Sequence, residues 1–120
     1  MLVLIVGSDA PLASRMAWIL SAEGLHVETV STPDESIVRL RSISPDVVLF
    51  DTHLPPAEKR VWLAAMRQQS DAAIVDLLDV HDRPRAALAS CADSVLSKPF
   101  DADTLIDIVR RSGMANRPYA

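Results

Sequence analysis

Pro45-Asp46-Val47-Val48-Leu49-Phe50-Asp51 is an apolar run that ends in a carboxylate. Apolar side chains on consecutive rather than alternate positions mark a strand covered on both faces, as in a parallel sheet sandwiched between helices. Runs of the same kind recur along the chain. With Asp46–Phe50, the strands read from the sequence are Leu2–Val6, His26–Val30, Ala73–Leu78 and Ser94–Leu96. Helical patterns separate them, and strands alternating with helices are the signature of repeated βα units. The expected fold is α/β, a doubly wound five-stranded parallel sheet with helices on both faces.

Start and stop signals place the helices. The first runs from Ala10 to Glu23, with Asp9 as N-cap, Pro11 in its first turn and Gly24 as its stop. Leu12, Met16, Ile19 and Leu20 form its inner stripe. Thr32-Pro33-Asp34-Glu35 is a capping box with Pro at the first helical position, opening a helix that buries Ile37, Leu40 and Ile43. A third helix is expected over Ala57–Gln68 and a fourth over Pro84–Ser90 behind Asp82. The fifth, Ala102–Ser112 behind Asp101, carries Leu105, Ile108 and Val109 inward and stops at Gly113. Residues 1–112 then form one domain, and 113–120 read as a tail or the start of a linker.

Composition limits the function. With 120 residues, 49% of them hydrophobic, the chain suits one domain with a substantial core. A net charge of −4 gives no bulk attraction to nucleic acid or to an anionic membrane. The opening Met-Leu-Val-Leu-Ile-Val is too short to span a bilayer and lacks the flanks of a signal peptide. A single cysteine, Cys91, excludes an internal disulfide and any cysteine-rich zinc site, which suits a cytoplasmic setting.

In an open sheet of this class, ligands gather outside the carboxyl ends of the strands. That rim collects Gly7-Ser8-Asp9, Asp51, the end of the fourth strand and Ser97-Lys98. An Asp at a strand end is a candidate nucleophile, and a Lys is a candidate clamp for a phosphoryl group it could receive. The structural alternative has the same geometry: a buried Asp51 neutralised by Lys98, stapling the rim.

These residues, together with Gly24, Leu54-Pro55 and Lys98-Pro99-Phe100, resemble the receiver domain of two-component response regulators up to about Ser112. The spacing is almost gapless from Val6 to Arg67. The resemblance implies a flavodoxin-like fold with strand order 2-1-3-4-5, switched when a sensor histidine kinase phosphorylates one Asp. Carried over by motif, Asp51 is the phosphoacceptor and Lys98 contacts the phosphate. The family pattern also implies a cis peptide before Pro99.

Three positions depart from that pattern. The acid pair that holds Mg²⁺ falls on Gly7 and Ser8, which carry no carboxylate. Asp51, with Asp9 as a possible second ligand, would hold Mg²⁺ weakly, because this hard ion favours carboxylate and phosphate oxygens in strict octahedral geometry. Asp9 reads first as a helix cap, because the gapless spacing from Val6 to Gly24 argues against the one-residue slip that would make it a ligand. The hydroxyl switch position falls on Asp76, Leu78 or Asp79, depending on the register chosen, and none of these is Ser or Thr. An Asp there would repel phosphate. The aromatic switch position of the fifth strand is Val95.

The reading that follows is an atypical receiver, not an enzyme, that acts as a regulatory protein-interaction module with weak or absent Mg²⁺-dependent phosphorylation. The alternative is an ordinary phosphoacceptor receiver modified on Asp51. Asp51 is expected within salt-bridge reach of Lys98, with no ordered Mg²⁺. Expected partners are a sensor histidine kinase or another signalling protein, and an output domain if the chain is longer. A second copy could dock through the fourth helix, fifth strand and fifth helix, where Arg83, Arg85, Arg110 and Arg111 lie. Trp18, on the outer side of the first helix, is a candidate contact. His26, His53 and His81 show no ligand spacing, and neighbouring Asp51 and His53 do not read as an acid–base dyad. A nucleotide site lacks its Gly-rich turn, and an Asp-nucleophile hydrolase lacks a second acid at position 53.

Overall fold

The computed structural model describes residues 1–79 and 92–115. In chain order its elements are β1 (Leu2–Gly7), α1 (Ala10–Ala22), β2 (His26–Val30), α2 (Pro33–Leu40), β3 (Val47–Asp51), α3 (Pro56–Gln69), β4 (Ala73–Asp79), β5 (Ser94–Lys98) and α4 (Ala102–Ala115). The strands form one parallel sheet ordered β2-β1-β3-β4-β5, the flavodoxin-like order. The expected helix at 84–90, with Arg83, Arg85, His81 and Cys91, lies outside the described residues.

The consecutive apolar residues of the central strands divide between two cores. Val3, Ile5, Val47, Leu49, Val75 and Leu77 pack under α1 and α4, against Met16, Leu20, Leu105 and Val109. Leu4, Val6, Val48, Phe50 and Ile74 pack under α2 and α3, against Leu40, Leu63 and Met66. A period of two sends neighbouring residues to opposite faces, so a strand covered on both sides must be apolar throughout. Ile37 and Ile43 flank the second core, half-buried, and Leu12 and Ile19 flank the first.

The capping signals act as read. Asp9 Oδ1 accepts from the Leu12 N–H at 3.1 Å, and Thr32 Oγ1 accepts from the Glu35 N–H at 3.2 Å while donating to Glu35 Oε1 at 3.4 Å. Asp101 Oδ1 accepts from the Thr104 N–H at 2.8 Å. Hydrogen bonds from the Thr104 side chain and main chain hold the Asp101 carboxyl below its ordinary pKa.

Four boundaries differ from expectation in ways that matter, three at strand ends and one at the end of the last helix. β3, β4 and β5 each run one or two residues further toward the rim than their apolar runs, ending on Asp51, Asp79 and Lys98. Backbone pairing does not require an apolar side chain, so polarity underestimates a strand that ends at a functional edge. The last helix does not stop at Gly113 but continues to Ala115. Gly24 ends α1 in the left-handed conformation, at φ +83°, whereas Gly113 is an ordinary buried helical residue. A Cβ there would lie 2.9 Å from Sδ of Met1, whose flexible side chain packs over this glycine.

Candidate functional site

β3 carries Asp51 out of the core while keeping it 4% exposed. The in-register partner of Asp51 on β1 is Gly7, and Lys98 ends β5 two strands away. Lys98 Nζ donates to Asp51 Oδ1 at 2.5 Å, with the Lys98 side chain 16% exposed. The Lys98–Pro99 peptide is cis. The sequence pair is thus a direct, largely desolvated ion pair, and charge-assisted bonds of this kind are the strong ones.

Gly7 explains how closely β1 approaches. A Cβ on Gly7 would stand 2.9 Å from the Asp51 carbonyl oxygen, 3.2 Å from Asp51 Cβ and 3.5 Å from Asp51 Oδ2. The first contact is with main chain and cannot be relieved by a rotamer change. Gly7→Ala should therefore destabilise the domain by about 1–2 kcal/mol, as overpacking does. Urea titration monitored by circular dichroism measures it, and a neutral or stabilising result contradicts the close approach.

The other acid-pair position, Ser8, is exposed. Asp9 is exposed too, and its carboxylate bends back to cap α1. Among the described residues, no three His, Cys, Asp or Glu side chains are grouped to hold a metal ion.

The three registers left open for the fourth strand now separate. Phe50 pairs with Asp76, Asp76 with Val95, Leu78 with Ser97, and Asp79 with Lys98. Asp79 is therefore the member of the three at the rim, with Leu78 buried one step below it and Asp76 fully buried. Asp79 Oδ2 stands 3.5 Å from Nδ1 of His53. His53, set aside as a partner for Asp51, faces a different carboxylate. Thr52 Oγ1 is buried with no hydrogen-bond partner among the described residues.

Asp76 has a partner that sequence reasoning did not single out. Lys59 Nζ reaches its two carboxylate oxygens at 3.1 and 3.3 Å, and the two side chains are 12% and 1% exposed. A signal for it existed. Lys59 lies four residues before Leu63 and seven before Met66, on the buried stripe of α3, and Asp76 interrupts an otherwise apolar strand. An acid inside an apolar strand needs a cation on the helix that covers it.

Trp18 is 75% exposed on the outer side of α1, as its position in the helix implied. Trp62 is half-buried against the core under α2 and α3. Arg110 pairs with Glu23 at 3.2 Å and Arg111 with Asp107 at 2.8 Å, so both are engaged within the chain.

Comparison with known proteins agrees with this geometry. Residues 3–110 match the response regulator receiver domain. The chain is 30% identical over 110 residues to the DNA-binding response regulator MtrA of Mycobacterium tuberculosis, covering 90% of this chain and 48% of that protein. It thus spans about half the length of the curated relatives it matches. Among solved structures, NtrX from Brucella abortus superposes with a TM-score of 0.84 at 24% identity, covering 96% of this chain and 27% of that one. A two-component response regulator from Clostridium difficile gives 0.80 at 19% identity, covering 92% and 93%. At these identities the superpositions speak for the fold. The family match over 108 of the 120 residues says more: the chain belongs to the response regulator receiver domain family of two-component systems.

Proposed function

We propose that this receiver domain is an atypical one, a regulatory protein-interaction module in which Mg²⁺-dependent phosphorylation of Asp51 is weak or lost. The observation that carries the reading is the state of Asp51: buried, opposite a glycine, and bonded to Lys98 at 2.5 Å. Mg²⁺ needs several oxygen ligands in octahedral array, with one or two carboxylates usual. Here Gly7 and Ser8 supply no carboxylate, Asp9 is committed to its helix, and one oxygen of Asp51 is already taken. That donor set does not fit the ion. Asp79, the one of the three candidate switch positions that lies at the rim, is a carboxylate and not a hydroxyl, and a negative charge there would disfavour a phosphoryl group on Asp51.

The second reading, an ordinary phosphoacceptor receiver, is favoured by the survival of Asp51 and Lys98 together at the rim. Acetyl phosphate or beryllofluoride with millimolar Mg²⁺ separates the two. The expected outcome is no added mass on Asp51 and no change in tryptophan fluorescence or amide shifts. A Mg²⁺-dependent mass increase that disappears in Asp51→Asn would establish the ordinary reading instead.

As a receiver, the domain is of the kind that works with histidine kinases and output domains. We propose a signalling protein as its partner, with exposed Trp18 among the contacts, because large aromatics are enriched at interface centres. The relatives' DNA-binding names apply to proteins about twice this length, so any DNA-binding output belongs to sequence beyond the region matched here. Among the described residues, no helix is long and apolar enough to cross a membrane.

A further inference from the structure

We infer that the groove between the start of β5 and the second half of α4 is a binding site for a small amphipathic carboxylate, with an apolar body the size of that of phenylpropionate. The groove has a volume of about 440 Å³ and is lined by Ser94, Val95, Ile108, Arg111, Ser112 and Ala115. Pockets for small organic ligands begin at roughly 300 Å³ and combine an apolar lining with a few placed polar groups. This one lies at the opposite end of β5 from Lys98. It is therefore separate from the Asp51 site, and the inference does not rest on whether Asp51 is phosphorylated.

The sequence builds the groove from two short patterns. Ile108, Arg111, Ser112 and Ala115 follow the i, i+3, i+4, i+7 spacing that puts residues on one helix face, beside the fully buried Leu105 and Val109. β5 is the outermost strand of the sheet, so α4 faces its side chains at an edge. Val95 stands at the position where the family pattern has an aromatic side chain. The smaller valine leaves the floor of the groove open.

Ser112 is the observation that points to a ligand. Among the described residues, four polar or charged ones are buried: Ser36, Asp51, Asp76 and Ser112. The first three have partners, since Ser36 donates to the Pro33 carbonyl at 2.6 Å, Asp51 accepts from Lys98 and Asp76 accepts from Lys59. Ser112 is 7% exposed and its hydroxyl makes no hydrogen bond with any described residue. A largely buried hydroxyl without a partner is unfavourable, and an acceptor seated in the groove would satisfy it. Arg111 is the charged residue of the lining. Its bond to Asp107 is an exposed pair, with side chains 72% and 62% exposed, so little free energy opposes its sharing a second acceptor. A carboxylate accepting from Ser112 and Arg111 together puts the body of the ligand on Val95, Ile108 and Ala115.

The test uses the whole chain and three probes that share one apolar body: 3-phenylpropionate, 3-phenylpropanol and 3-phenylpropylammonium. Followed by amide shifts, 3-phenylpropionate should saturate with a Kd of about 1 mM or below and move Val95, Ile108 and Ser112 most. The alcohol should bind about tenfold more weakly, as the loss of one charge-assisted hydrogen bond requires, and the ammonium probe should not saturate. Arg111→Gln should abolish the preference for acid over alcohol. Val95→Phe, which fills the floor, should abolish binding of both. If Val95→Phe does not fold, Ala115→Trp at the exposed end of the groove blocks it without entering the core. Shifts that do not saturate, equal binding of the ammonium probe, or an acid preference that survives Arg111→Gln overturns the site. So does a dimer in sedimentation that shields the same amides, which would give the groove to a second copy of the chain.

Discussion

Replacing Lys59 by Met lowers the stability of the domain by about 3–5 kcal/mol, the cost of removing the cation from a buried ion pair. Asp76 is fully buried on the face of the sheet under α3, and Lys59 bonds both of its oxygens. Met keeps most of the apolar stem, so lost packing contributes little. The expected loss is a large part of the margin of a domain this size, which is typically about 5–15 kcal/mol in all. The decisive companion is Lys59→Met/Asp76→Leu. An apolar pair in place of a buried ion pair is often neutral or stabilising, so the double variant should recover most of the loss. Urea midpoints of the two single variants and the double give the coupling directly. If Lys59→Met costs less than about 1 kcal/mol, in the range of an exposed pair, the burial of Asp76 is overstated.

That pair also marks where the sequence stops being legible. The fold could be read because the central strands are apolar on consecutive positions with few interruptions and three of the helix starts carry a side-chain cap, at Asp9, Thr32 and Asp101, two local signals that agree. Asp51 and Lys98 could be placed together because both end strands of one parallel sheet. Asp76 could not be placed, because three registers of the fourth strand were open and nothing local separates a rim residue from one three positions earlier. Pairing across the sheet decides it: Asp76 lies beside Phe50 and Val95, inside, and Asp79 lies beside Lys98, at the edge. Lys59 was missed for a related reason. Read alone it is a surface lysine on an amphipathic helix, and its burial follows only once an acid is known to face it. Gly113 shows the opposite error, a residue with a strong local meaning as a helix stop that lies buried inside a helix continuing to Ala115.

Asp51→Asn, the usual way to remove a phosphoacceptor, should here act mainly on stability, lowering it by about 2–3 kcal/mol through the loss of a largely buried charge-assisted bond. The cost is smaller than for Lys59→Met because the burial of the remaining group differs. Asp51→Asn leaves an ammonium at the rim, 16% exposed, which can turn toward water, whereas Lys59→Met takes a cation away from a carboxylate that is 1% exposed. Reduced partner binding by Asp51→Asn would therefore not by itself implicate phosphorylation, because a partly unfolded domain binds less of anything. Asp51→Asn/Lys98→Met removes the acceptor and its cation together and should return most of the stability. Partner binding that survives in the double variant then belongs to the static surface of the domain, as an interaction module requires. Binding lost in the double variant at wild-type stability would mean that the partner reads the charge at Asp51.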